Sequence, residues 1–143
     1  MFSLSKASVA KRARLHPRLQ LVVDKAILEV DFKIICSTRG RAEQTRVFNG
    51  GLSKARFGES PHNFLPSVAM DLFPAPYNWN DLAAFETLAK VVLRVAAENG
   101  LRLRWGGDWK MDGKQTTTDA WDKPHFELHR WRDYAKTSKL FEG

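Results

Sequence analysis

The stretch from Asn80 to Trp105 constrains the fold more than any other part of the chain. Leu82, Phe85, Leu88, Ala89, Val92, Val95 and Ala96 recur at helical spacing, so a helix over 81–99 carries one apolar stripe that needs a partner surface. Asn80 reads as its N-cap, Glu86 stands four residues before Lys90 on the polar face, and Gly100 suits a left-handed C-terminal cap. Leu-Arg-Leu-Arg-Trp at 101–105 then alternates with period two, the mark of a strand with one buried face.

The rest of the chain repeats this mixture. Residues 17–30 read as a helix entered at Pro17, with Leu19, Val22, Val23, Ala26, Ile27 and Val30 on one side. Phe32, Ile34 and Cys36 alternate with Lys33, Ile35 and Ser37 as a strand entering the core. Residues 41–49 suit a short helix ended by Gly50-Gly51, and 125–128 a further strand. Short links between mixed elements predict an α+β fold, a small antiparallel sheet with flanking helices. The 106–124 stretch is long, polar and rich in Gly, Thr and Asp, as functional loops are.

At 143 residues, 43% apolar and 27% charged, the chain suits one domain with a core that needs no staples. That excludes collagen-like, coiled-coil and disulfide-framework architectures. The lone cysteine, Cys36, cannot form an internal disulfide, and any metal is expected on histidines and carboxylates. The net charge of +7 sits at the ends. Residues 1–20 hold five bases and no acid, residues 129–143 four bases and two acids, and the middle is balanced at 14 each. A basic segment over 1–16 fits a solvated terminus better than a nucleic-acid interface, whose stripe of bases with interleaved aromatics is missing. No stretch approaches a membrane span of about 20 apolar residues, and no signal peptide is read at the N-terminus. The expected location is the cytoplasm.

Three positions invite chemistry. His62 follows a glycine-containing loop. Nine residues on, Asp71 interrupts the apolar run Val68-Ala69-Met70…Leu72-Phe73, where a carboxylate is costly unless it binds a metal or pairs with a base such as Arg39. The segment Asp122-Lys123-Pro124-His125-Phe126-Glu127-Leu128-His129 offers further ligands. Zinc takes three N/O ligands and a water for catalysis, and a nearby carboxylate can accept that water's proton. Spacing leaves open His125 or His129 as ligand, and Asp122 or Glu127 as base. His16, before Pro17, reads as a surface or capping residue.

Ser60-x-His62, Ala69-x-Asp71, Trp105-Gly106-Gly107-Asp108-Trp109 and Asp122-x-x-His125-Phe126, in that order, resemble the zinc D-alanyl-D-alanine carboxypeptidase/dipeptidase-like peptidases. The resemblance is nearest to their phage L-alanyl-D-glutamate endolysin branch, and Ser37 to Gln44 is similar to the family's Arg-Ser-x-x-Glu-Gln stretch. It implies the hedgehog/DD-peptidase-like fold and one catalytic domain over 1–143 without a separate wall-binding domain. It also implies Zn2+ on His62, Asp71 and His125, Asp122 as the catalytic carboxylate, and Arg39 on the scissile carbonyl or its oxyanion. His129 is then a surface residue. The chain departs from the family in the His62-to-Asp71 interval, which has two added residues and Ser67 in place of a glycine.

The implied activity is hydrolysis of the L-alanyl-D-glutamate bond of bacterial peptidoglycan stem peptides. It would be carried out by a monomer reaching the wall through a holin-type pore. Lys54, Arg56, Lys110 and Lys123 are candidate contacts for substrate carboxylates, and Trp105, Trp109 and Trp121 candidate cleft walls. A D-alanyl-D-alanine carboxypeptidase or dipeptidase of the same fold is the alternative within the resemblance, and a small basic nucleic-acid-binding protein the alternative outside it.

Overall fold

The structure, a computed structural model, describes residues 1–113 and 122–143. Trp121 and much of the polar 106–124 stretch lie outside the described residues. The elements in chain order are α1 (Lys6–Arg12), α2 (Pro17–Ala26), β1 (Phe32–Cys36), α3 (Arg41–Asn49), a single 3-10 turn (Pro61–Asn63), β2 (Phe64–Leu65) and β3 (Ala69–Pro74). They continue with α4 (Leu82–Glu98), β4 (Leu103–Trp105), β5 (His125–Leu128), α5 (Trp131–Ala135) and β6 (Lys139–Leu140). The fold is α+β: a four-stranded antiparallel sheet in the order β1-β3-β5-β4, with a small β2-β6 ribbon beside it.

Residues directly opposite one another in a ladder share a face. The register pairs Met70 and Trp105 with Phe126, Ile34 with Leu72, and Leu103 with Leu128. That face is buried beneath the apolar stripes of α2 (Leu19, Val22, Val23, Ala26) and α4 (Leu88, Ala89, Val92, Val95, Ala96). Each large side chain fully removed from water contributes about 1.5–3 kcal/mol. The opposite face carries Asp71 against His125 and Glu127 against both Ala69 and Arg104. One face of the sheet builds the core, and the other presents polar chemistry.

The differences from the sequence reading are local. The 17–30 helix stops at Ala26, its last turn loosening over Ile27–Val30. Asp81, not Asn80, caps α4, its carboxylate accepting the Ala84 N–H at 3.1 Å. Asn80 instead belongs to the preceding turn, where its N–H donates to Asn78 Oδ1. On the polar face of α4, Arg94 forms ion pairs with Glu98 and with Glu29. His16 caps α2 as expected, accepting the Arg18 N–H at Nδ1, and Gly100 has the positive φ of a left-handed cap.

The largest departure is in β1. Strict alternation puts Cys36 on the buried face with Phe32 and Ile34, but the register shifts between Ile34 and Cys36. The irregularity, a β-bulge, re-aims the side chain, and Cys36 stands opposite Asp71 on the polar face. Among the described residues no helix is long and apolar enough to cross a membrane.

Candidate metal centre

His62 is fixed by its own turn. Ser60 and Asn63 form a reciprocal capping box around Pro61–Asn63, and Arg39 N–H donates to the His62 carbonyl at 2.7 Å. The interval between His62 and Asp71 is not slack. It contains β2, and Ser67 then bridges to Leu15 through Ser67 N–H to Arg14 O and His16 N–H to Ser67 O. Where the family pattern has glycine, the buried Ser67 hydroxyl lies 2.7 Å from the Ser37 and Ala69 carbonyls. The basic N-terminal segment thus braces the loop that carries the histidine.

Asp71 and His125 face one another across β3 and β5. His62 Nε2 lies 3.3 Å from Asp71 Oδ1 and 3.3 Å from His125 Nδ1, and His125 Nδ1 lies 3.1 Å from Asp71 Oδ1. The other ring nitrogens are engaged outside this triangle. His62 Nδ1 is 2.8 Å from the Ser37 carbonyl, and His125 Nε2 is 2.8 Å from Glu127 Oε1. A neutral imidazole has one N–H. With each proton donated outward, two lone pairs and a carboxylate oxygen converge on one point. Such a convergence requires a cation or extra protons. Tetrahedral zinc with bonds of 2.0–2.1 Å separates its ligands by about 3.3 Å, so the donor set fits this metal in both type and spacing.

Without a metal, protons fill the role. Burial alone would lower both histidines, but Asp71 and Glu127 hold His125 up at about 9, and Cys36 and Asp71 hold His62 well above its ordinary value. Burial would raise Asp71, yet the two histidines keep it well below the usual carboxylate range.

The geometry of Asp71 accommodates both alternatives that its sequence context posed, a metal ligand and a salt bridge. Oδ1 faces the histidines, while Oδ2 lies 3.6 Å from the Arg39 guanidinium. Arg39 is braced by Gln44 Oε1 at 3.3 Å, and the fully buried Gln44 also donates to Ser53 Oγ and the Ala55 carbonyl. One amide therefore ties the arginine to the cleft rim.

Cys36 was missing from the expected donor set. Among the described residues, Cys36, His62 and Asp71 offer ligand atoms within 4.8 Å of one another. The thiol lies 3.6 Å from His62 Nδ1, the side of the ring turned towards Ser37. Nε2, with Asp71 and His125, is on the other side. His62, Asp71 and His125 can hold one ion together, and Cys36 stands behind the imidazole. The signal that would have found it is the bulge, which alternation does not show.

Asp122 reaches the same volume from the loop side, with Oδ2 4.0 Å from His125 Nδ1, and burial raises its pKa. Its backbone is locked to Gly106: Asp122 N–H donates to Gly106 O, and Gly106 N–H to His125 O. A Cβ on Gly106 would lie 1.9 Å from the Asp122 carbonyl, and one on Gly107 2.3 Å from the Trp105 ring. The Trp-Gly-Gly run exists to allow these two approaches.

Arg39, His62, Asp71, Asp122 and His125 line a cleft of about 870 Å³ together with Lys54, Trp79, Trp109, Lys123 and Glu127, a volume suited to a small peptide segment. Trp109 lies 5.2 Å from the His125 ring. Arg56 is exposed with its guanidinium over Phe48, and Lys110 is exposed outside the cleft lining. Trp105 is turned to the helix-packed face, stacked on Phe126, because it shares the register of Leu103. His129 sits at the far end of β5, its N–H donating to the Arg102 carbonyl.

The profile of the family described as phage L-alanyl-D-glutamate peptidase matches residues 1–129. The L-alanyl-D-glutamate peptidase of Escherichia phage T5 is 30% identical over 137 residues, covering 89% of this chain and 98% of that protein. The crystal structure of the Serratia marcescens L-Ala D-Glu endopeptidase ChiX superimposes with a TM-score of 0.72 at 29% identity, covering 93% of this chain and 94% of that one. Fold, profile match and sequence relative agree, and the chain belongs to the phage L-alanyl-D-glutamate peptidase family.

Proposed function

We propose that this chain is a zinc-dependent peptidoglycan hydrolase that cuts the L-alanyl-D-glutamate bond of the stem peptide during phage-induced lysis. The observation that carries the reading is the triangle of His62 Nε2, Asp71 Oδ1 and His125 Nδ1, three electron-pair donors meeting at zinc-ligand spacing. These three residues would hold the ion. When bound, zinc supplies Lewis-acid polarisation of the peptide carbonyl and a more acidic water.

The chain's own residues supply the rest. Asp122, whose partial burial favours proton uptake, accepts the proton of the attacking water and passes it to the departing amine. Arg39, held by Gln44 and Asp71, donates to the oxygen on which negative charge develops, a contribution worth several kcal/mol when preorganised. Lys54 and Lys123 line the cleft with Trp109 and would meet the carboxylates and the backbone of the stem peptide, with Arg56 further out on the same rim. Residues 1–143 act as a single catalytic domain and as a monomer. The protein is held in the host cytoplasm until a holin-type pore admits it to the wall.

Metal analysis tests the reading directly. Purified protein should carry about one zinc per chain, chelation should abolish wall lysis, and added zinc should restore it. Full activity in metal-free protein would refute it.

A further inference from the structure

Glu127 is buried, 3% exposed, in a strand face otherwise given to the metal centre. A carboxylate there is costly unless both oxygens are satisfied. Oε1 lies 2.8 Å from His125 Nε2, and Oε2 accepts from Arg104 at 2.8 and 3.2 Å. Arg104 stands directly opposite Glu127 in the β4–β5 ladder, and its guanidinium lies 5.1 Å over the Trp109 ring, which in turn lies 5.2 Å from the His125 ring. The imidazole is held at its edge by Glu127 and flanked by Trp109, with Arg104 touching both.

We infer that Glu127, held by Arg104, is a positioning residue that fixes the tautomer and orientation of His125 and so sets the affinity of the site for zinc. The inference rests on the reading that His62, Asp71 and His125 hold the metal. In the neutral ring that a metal requires, with Glu127 accepting from Nε2–H, the lone pair of Nδ1 faces Asp71 and His62. With that acceptor gone, the ring can carry its proton on Nδ1 instead, 3.1 Å from Asp71 Oδ1. An Nδ1–H donated to Asp71 closes the metal position. Glu127 stabilises the open tautomer, and its negative charge makes Nδ1 a better ligand. The same engagement leaves neither oxygen of Glu127 free to serve as the base, which sequence spacing alone had allowed.

The test is competition for zinc between the full chain and a chromophoric chelator at fixed pH, with circular dichroism confirming the fold of each variant. Wild type should bind one zinc, Glu127→Ala about 10–100-fold more weakly, and Glu127→Gln in between, since its amide oxygen still accepts but carries no charge. Arg104→Met, at a half-exposed position, should also weaken binding. In zinc-loaded wild type the His125 Nε2–H proton should be a downfield, slowly exchanging NMR signal that Glu127→Ala loses. Wild-type affinity in a folded Glu127→Ala or, should that variant not fold, in Glu127→Gln would overturn the inference while leaving the metal reading intact. Failure of the wild-type chain to bind zinc would overturn both.

Discussion

Asp71 divides its carboxylate between two partners: one oxygen stands 3.1 Å from His125 Nδ1 and the other 3.6 Å from the Arg39 guanidinium. A single side chain thereby joins the proposed metal-binding group to the cation assigned to the developing oxyanion. Asp71→Ala should therefore lose both zinc and activity, as should His62→Ala and His125→Ala. His129→Ala should lose neither, because that side chain lies at the other end of β5. Zinc content of the purified variants checks this, and release of metal by His129→Ala would show that the wrong histidine was chosen.

Asp122 is separable from the metal. Asp122→Asn should keep its zinc and lose about 10²–10⁴ in turnover, the usual share of a positioned base, with substrate affinity changed far less. Gly106→Ala should imitate it, because a Cβ there would collide with the Asp122 carbonyl at 1.9 Å. Near-normal turnover in Asp122→Asn, measured on zinc-saturated protein, would remove Asp122 from the role.

The metal-free protein should lose stability in alkali. His125 titrates at about 9 in the fold and His62 well above its ordinary value, against about 6.5 in an unfolded chain. Both bind protons more tightly when folded, so their contribution is complete below about pH 6.5 and disappears as pH rises through about 9. For His125 that amounts to roughly 3 kcal/mol. Cys36, whose thiol is lowered beside His62 despite its burial, works in the opposite sense and also helps to hold His62 up, so Cys36→Ser isolates the share of His125, which rests on Asp71 and Glu127. Thermal melts of chelator-treated protein should fall between pH 6 and 9.5, and a flat profile would contradict the protonated-triangle picture.

Most of this architecture is legible in the sequence because periodicity reports burial. The α4 stripe and the strands at 103–105 and 125–128 follow from apolar spacing alone. Asp71 was conspicuous as an acid inside an apolar run. The illegible features depend on tertiary register. The bulge that moves Cys36 beside His62, the turning of Trp105 into the core, and the capture of Glu127 by Arg104 each depend on which residue stands opposite which. The helix α1 and the ribbon of β2 with β6 were also unread, being too short for a periodic signal.

Access to the wall should limit the protein. Added from outside to intact cells with an outer membrane it should do little, whereas permeabilised cells or isolated walls should lyse. Turbidity assays on matched samples check this. Lysis from within the cytoplasm without any pore-forming partner would contradict the proposed route.

The most direct measurement is end-group analysis of purified peptidoglycan digested by zinc-loaded and by chelator-treated protein. The account predicts new N-terminal D-glutamate in the zinc-loaded digest and none in the other. Released D-alanine, or D-glutamate termini formed equally without metal, would contradict it.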